Sequence, residues 1–319
     1  MQITNIGIAA ARPDAPPTLA GLEETLGRLR DMGYTLVELD PSGFATIVDG
    51  QVRHRQLADL AVVLRNSGLR FSIHGISRLN LAYDPRHDLC RRIMTCQIEI
   101  CRVLGATRLV YHSGLQALDL ARSGVRRTLL TDDELADGAR REVEAFRALA
   151  PLAEAAGVVI GMENGDSHQW EHALIAAHGL PREALLKHHA RLRIEPIIAQ
   201  LEAIDHPAVG LTLDIAHLHI AAHDMGFDYL EAISAAAPWT RHLHVNDNFG
   251  RLDQGFDTER DRWAFGEADI HMPPGWGSIP YRDVFDRLSG YHGDLILEIK
   301  PGFWDAFGEA LRTTRALLA

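Results

Sequence analysis

The chain has no run of about 18 consecutive apolar residues, so no segment is suited to cross a bilayer as a helix. Cysteine is scarce: Cys90, Cys96 and Cys101 form an odd set confined to one helical segment. Their spacing is neither Cys-x-x-Cys nor a zinc-ribbon pattern. With no basic leader ahead of the opening MQITNIGIAAA, they point to reduced, packed thiols in the cytoplasm. A surplus of positive charge is also missing. The formal net charge is −11, and a polyanion is held by Lys and Arg that displace its counterions, so the balance argues against nucleic acid as a partner. The arginines at 140–141 and 191–193 sit among Glu and His and read as solvated helix faces. No Gly-x-Gly-x-x-Gly follows the first apolar run, which removes the usual mark of a dinucleotide fold. No Pro/Gly/Ser-rich linker divides the 319 residues.

What is present is regular alternation. Short runs rich in Val, Ile and Leu fall at 3–9, 35–40, 69–74, 107–112, 158–163, 209–214, 242–246 and 294–299, each separated from the next by helical patterning. Leu57, Leu60, Ala61 and Leu64 mark one apolar helix stripe, and Leu89, Ile93, Ile100 and Leu104 another. Thr131-Asp-Asp-Glu134 is a capping box that opens a helix running to about Ala155. Gly33, Gly68, Gly105 and Gly157 each precede a strand, where a helix-ending glycine belongs. Strands joined through helices pair in parallel by right-handed crossovers, and eight such units predict an α/β, single-domain (β/α)8 TIM barrel over 1–319.

Three βα loops are long: 113–131, 164–195 and 247–279. In a barrel all three extend the C-terminal face, where barrel enzymes keep their sites. The second carries its own helical pattern over 182–192 and holds His168, Trp170, His172, His178, His188 and His189, a set suited to a lid or a subunit contact.

The strand ends carry the chemistry. Strands three to eight end in His74, His112, Glu163, Asp214 (with His217 three residues on), His244 and Glu298. Taken singly, such a His is more often a hydrogen-bonded core residue, and such a carboxylate an N-cap or a salt-bridge partner. Six consecutive strand ends converging on one barrel axis are a different matter. Carboxylates crowded there repel and are costly to desolvate unless a cation compensates. The mix of O and N donors without Cys selects a divalent ion, Mn2+ or Zn2+ first and Co2+ or Fe2+ next. Glu38 and Asp40, at the end of strand two, read as cap or salt-bridge residues.

The pattern resembles the xylose-isomerase-like barrel superfamily over nearly the whole chain. That superfamily includes sugar isomerases and epimerases, inosose dehydratases and the endonuclease IV group. The stretch from Gly275-Trp-Gly-Ser-Ile-Pro-Tyr through Gly290-Tyr-His-Gly to Leu-Ile-Leu-Glu298 is similar to the family's approach to its last strand. The resemblance implies a metal site on Glu163, Asp214, His244 and Glu298. His74 (in His-x5-Asn-Leu-Ala), His112, His217, Asp269 and His271 resemble the further ligands of the endonuclease IV group, which holds three zinc ions.

On the sugar reading, Glu163 and Glu298 are the acid/base pair of a metal-dependent isomerase or epimerase acting on a keto sugar through an enediolate. His217 steers a proton, and His74 and His112 contact the substrate. Trp276, with Trp170 and Trp304 in comparable loops, offers an apolar wall for a sugar ring or a surface for a homo-oligomer. The same enediolate serves a dehydratase or lyase. The rival reading is phosphoester hydrolysis at a multinuclear zinc site. A non-catalytic binding barrel is the third, and the intact core four count against it. Gly275–Gly277 is the only hint of a phosphate cradle.

Overall fold

The computed structural model describes residues 1–9, 18–122, 124, 128–254 and 259–319. Eight parallel strands close on themselves: β1 (Gln2–Ala9), β2 (Leu36–Leu39), β3 (Arg70–His74), β4 (Arg108–His112), β5 (Val159–Glu163), β6 (Val209–Asp214), β7 (Thr240–Val245) and β8 (His292–Leu297). Each pairs with its sequence neighbours, and β1 pairs with both β2 and β8, so the barrel has no open edge. All eight apolar runs are strands, displaced by at most two residues at their ends. A two-stranded hairpin, Ile47–Val48 with Gln51–Val52, is an addition the alternation did not announce.

Strands covered on both faces should be apolar throughout, and every residue of β6 is buried. The helix His54–Ser67 presents Leu57, Leu60, Ala61 and Leu64 to the core and ends on Gly68 in the left-handed region at φ 70°, a backbone conformation that costs a Cβ-bearing residue. The helix Asp132–Ala155 opens on the Thr131–Glu134 capping box. In the helix His87–Leu104 the buried residues include Cys90, Met94, Gln97 and Cys101 together with Ile100 of the expected stripe, whereas Leu89, Ile93 and Leu104 are only half-buried. The thiols behave as small hydrophobes and take the face expected of the leucines.

The long loops all leave the C-terminal ends of β4, β5 and β7. The loop after β5 is broken into Gln169–Ala177 and three single turns, Arg182–Ala184, Leu185–His188 and Ala190–Leu192, rather than one helix over 182–192. It is stitched to the β4 loop by Ala117 N donating to His188 O (2.8 Å) and Ala190 N to Leu115 O (2.8 Å). Among the described residues, no helix is long and apolar enough to cross a membrane.

Candidate metal centre

Register decides which strand-end residues meet. His112 lies opposite Glu163 across β4–β5, and Asp214 opposite His244 across β6–β7. The ligand atoms of Glu163, Asp214, His244 and Glu298 lie within 4.8 Å of one another at the barrel mouth. His244 Nδ1 is the hub: Glu163 Oε1 is 2.8 Å away, Glu298 Oε2 3.0 Å and Asp214 Oδ2 4.0 Å. Asp214 serves as cap and site residue at once. Its Oδ1 accepts from the amides of Ala216 (2.7 Å) and His217 (2.8 Å), starting the helix Ile215–Met225, while Oδ2 faces the site. The Asn164 side-chain amide bonds the Asp214 main chain in both directions at 2.9 Å, locking the ends of β5 and β6 together.

The remaining five predicted ligands gather in two groups flanking the core. His74 and His112 join the second oxygen of Glu163, with His112 Nε2 3.0 Å from Glu163 Oε2 and 3.2 Å from His74 Nε2. His217, Asp269 and His271 form the other: His217 Nε2 is 3.3 Å from Asp269 Oδ2, and His271 Nε2 touches the same oxygen. In three of these histidines Nδ1 meets a main-chain carbonyl: His74 with Gly75 O (2.9 Å), His217 with Asn164 O (3.2 Å) and His271 with Glu298 O (2.6 Å). A carbonyl only accepts, so Nδ1 carries a hydrogen and Nε2 is the nitrogen turned to the site, where a cation would take the place of its proton. His271 holds φ 47°, a left-handed value that costs a non-glycine residue about 1 kcal/mol, and its ring lies against Asp269.

Buried carboxylates without compensation should be protonated. Burial does push Asp214 up, to about 7, with His217 opposing. Burial also acts on Glu163, but His112 and His244 outweigh it and hold the carboxyl well below the usual range. Burial likewise raises Asp269, and His271 and His217 prevail. Even so, Asp269 Oδ1 is buried with no hydrogen-bond partner among the described residues, and Glu163 Oε2 and Glu298 Oε2 face imidazole nitrogens at 3.0 Å. Carboxylate oxygens and imidazole nitrogens crowded together in a buried site fit a divalent cation, and no sulfur is among the donors.

Behind the hub lies a residue that the strand pattern undersold. Glu38, on β2 and 2% exposed, places Oε1 2.9 Å from His244 Nε2. Its Oε2 bonds His242 Nε2 (2.8 Å) and accepts from Ser72 Oγ (2.9 Å). The salt-bridge reading of Glu38 is therefore right in kind, but its partner is His244, the hub of the four-donor cluster. Asp40 is a cap, accepting from Ser42 N.

A cavity of about 300 Å³ opens above the donors, lined by His74, His112, His217 and Glu298 below and by His168, Gln116 and three arginines around the mouth. Trp276 does not line it. Its ring stands edge-on to Phe303, and its Nε1 donates to Glu309 Oε1 (3.0 Å). Trp304 is buried against Phe307, and Trp170 lies beneath the Arg122 guanidinium. Of the β5-loop histidines only His168 reaches the cavity; His172 lies 2.8 Å from Asp224, and His189 2.8 Å from Glu171. Arg191 is not on a solvated face: it turns inward, donating to Gln116 Oε1 and His189 Nε2 at 3.0 Å each. Gly275 and Gly277 do not cradle a ligand, because both amides donate to Asp247 Oδ2 (2.8 and 2.9 Å). A larger groove of about 650 Å³ beside Tyr83 and Arg140 gathers none of these donors.

The whole-chain comparisons agree with this architecture. No curated protein sequence matches the chain. Among solved structures it is similar to D-psicose 3-epimerase from Clostridium cellulolyticum H10, crystallised with D-tagatose (TM-score 0.65, 16% identity, 99% of each chain covered). It is also similar to 3-keto-D-glucoside 4-epimerase from E. coli (TM-score 0.66, 15% identity, 98% of this chain and 99% of that one). A D-tagatose 3-epimerase-like protein gives a TM-score of 0.63 at 18% identity, over 99% of this chain and all of the other. Identities this low speak for the fold alone. The family model described as xylose isomerase-like TIM barrel matches residues 26–317, and the chain belongs to that family.

Proposed function

We propose that the chain is a divalent-metal enzyme that moves a proton at the carbon beside the carbonyl of a keto sugar or sugar derivative, as an isomerase or epimerase. The observation that carries this reading is the four-donor core in which two carboxylates, Glu163 and Glu298, meet His244 Nδ1 from strands separated by β6 and β7. Two of the similar structures are named as D-psicose 3-epimerase and a D-tagatose 3-epimerase-like protein, which supports extending that chemistry here. A bound Mn2+ or Zn2+, or else Co2+ or Fe2+, supplies Lewis-acid polarisation that makes the neighbouring C–H acidic.

The chain's own residues do the rest. Glu163 and Glu298 address a substrate in the cavity from two sides: one carboxylate takes the proton and the other returns one to the opposite face, inverting that carbon. Return to the adjacent carbon by the same group gives isomerisation, and expulsion of a β-hydroxyl gives a dehydratase. His217 Nε2, between Asp214 and Asp269, is placed to hold a proton on a substrate oxygen.

A second reading, phosphoester hydrolysis at a multinuclear zinc site, is favoured by one specific feature. The two oxygens of Glu163 face two different donor groups, and His217, Asp269 and His271 make a third. Ions in all three groups would occupy Glu163 fully and leave it no role as a base. The two readings part in one experiment: the metal-loaded protein is incubated in deuterated water with a panel of ketoses and, separately, with phosphoesters. Deuterium incorporated beside the carbonyl, and lost in Glu163→Gln and Glu298→Gln, is the expected result. Phosphate release without exchange would replace the first reading by the second.

A further inference from the structure

The floor of the cavity is acidic, yet its mouth carries Arg78, Arg122 and Arg191. Some arginines elsewhere on the chain sit beside carboxylates, such as Arg86 with Asp84, Arg140 with Asp137 and Glu144, Arg193 with Glu195, and Arg287 with Glu231, while others, such as Arg147 and Arg241, are taken up by main-chain carbonyls. Among the described residues none of the three at the mouth has such a partner, although Asp119 and Asp166 line the same cavity. Two of them are held by something other than a carboxylate. Arg122 stacks on Trp170, its guanidinium carbon 4.6 Å from the ring centroid. Arg191 is oriented by Gln116 and the buried His189, which spends two of its five N–H donors and directs the fork to the cavity. Arg78 stands exposed on the β3 loop. Two guanidiniums oriented by neutral partners, with a third exposed beside them on the same cavity and none of the three paired to a carboxylate, are forks open to a planar or tetrahedral anion on a chain of net charge −11.

We propose that the substrate carries an anionic group, a phosphate or a carboxylate, seated by Arg78, Arg122 and Arg191 while its keto-polyol end faces the donors on the floor. This rests on the keto-sugar reading and narrows it to sugar phosphates or sugar acids. Because Arg191 belongs to the Gln116–His189–Glu171 network, the test uses the two exposed arginines.

Binding of D-fructose, D-fructose 6-phosphate and 5-keto-D-gluconate to the metal-loaded protein is measured by calorimetry, in wild type, Arg78→Ala/Arg122→Ala and Arg78→Lys/Arg122→Lys. One of the two anions should bind roughly tenfold or more tighter than D-fructose, and which one identifies phosphate or carboxylate. The alanine pair should remove most of that advantage while leaving D-fructose within about twofold, and the lysine pair should restore part of it. Equal affinity for all three ligands would overturn the proposal. So would an advantage that survives the alanine pair, because the anion would then be held on the floor. Failure of all three ligands to bind a protein that still binds metal would overturn the keto-sugar reading, and the proposal with it.

Discussion

Glu38 shows how much of a candidate metal site lies one residue behind the groups that would hold the ion. His244 is fully buried and has two ring nitrogens: Nδ1 toward Glu163 and Glu298, Nε2 toward Glu38. A carboxylate on the rear nitrogen fixes the tautomer and raises the basicity of the ligating one. Glu38→Gln is expected to weaken divalent-metal affinity by about 10–100-fold, the range for lost outer partners, while the far-ultraviolet circular dichroism stays native. Competition against a chromophoric chelator measures it, and unchanged affinity would remove Glu38 from the site. At this scale the cluster was legible because each member ends a run of apolar residues: His112, Glu163, Asp214, His244 and Glu298 advertise themselves as polar groups where a strand stops. Glu38 ends such a run too, in Leu36–Leu39, but only the register of β2, β3 and β7 brings it behind His244, and spacing along the chain carries no register between strands. Arg191 was misread for a related reason. Sequence shows it among Glu and His, whereas its orientation depends on Gln116, 75 residues away.

The elements that bear loops are stitched rather than merely connected. Glu171, fully buried in the helix Gln169–Ala177, accepts from Gln116 Nε2 (2.9 Å) in the β4 loop and from His168 N (3.0 Å), and lies 2.8 Å from His189 Nδ1. Burial would raise its carboxyl, but the His189 field prevails and brings it to about 2, while burial pushes His189 below its ordinary 6.5. Both groups therefore bind fewer protons folded than unfolded as the medium acidifies. Unfolding then takes up protons, so their contribution is present at neutral pH. It is lost first as pH falls through 6.5 and further as it falls from 4.5 toward 2. Urea denaturation in chelator, from about pH 7 to about pH 4, should show wild-type stability falling. Glu171→Gln/His189→Asn should start lower and fall less steeply, and equal slopes would contradict the role given to this pair. The helical pattern at 182–192 failed as a single helix because Leu115 and Gln116 of the β4 loop claim main-chain partners at 189–190, and tertiary pairing overrides local propensity.

At the scale of the whole molecule, closure of the barrel turns six scattered strand ends into neighbours. The fold was readable because eight apolar runs alternate with helices and nothing in the chain interrupts them. The placement of Asp269 and His271 was readable only through resemblance, since no strand carries them and their loop follows no periodicity. Their position is secured by Lys300 N bonding His271 O (3.2 Å) and Lys300 Nζ bonding Asp269 O (2.8 Å), a tie from the end of β8 that sequence order does not display. The account turns on a cation bound where these elements meet. The most direct measurement is elemental analysis and calorimetric titration of bound Mn, Zn, Co and Fe per chain, in wild type and in Glu298→Gln. At least one ion per wild-type chain, with affinity sharply reduced by Glu298→Gln, is the predicted result. A wild-type chain that takes up no divalent ion, or one whose binding ignores the loss of Glu298, would contradict it.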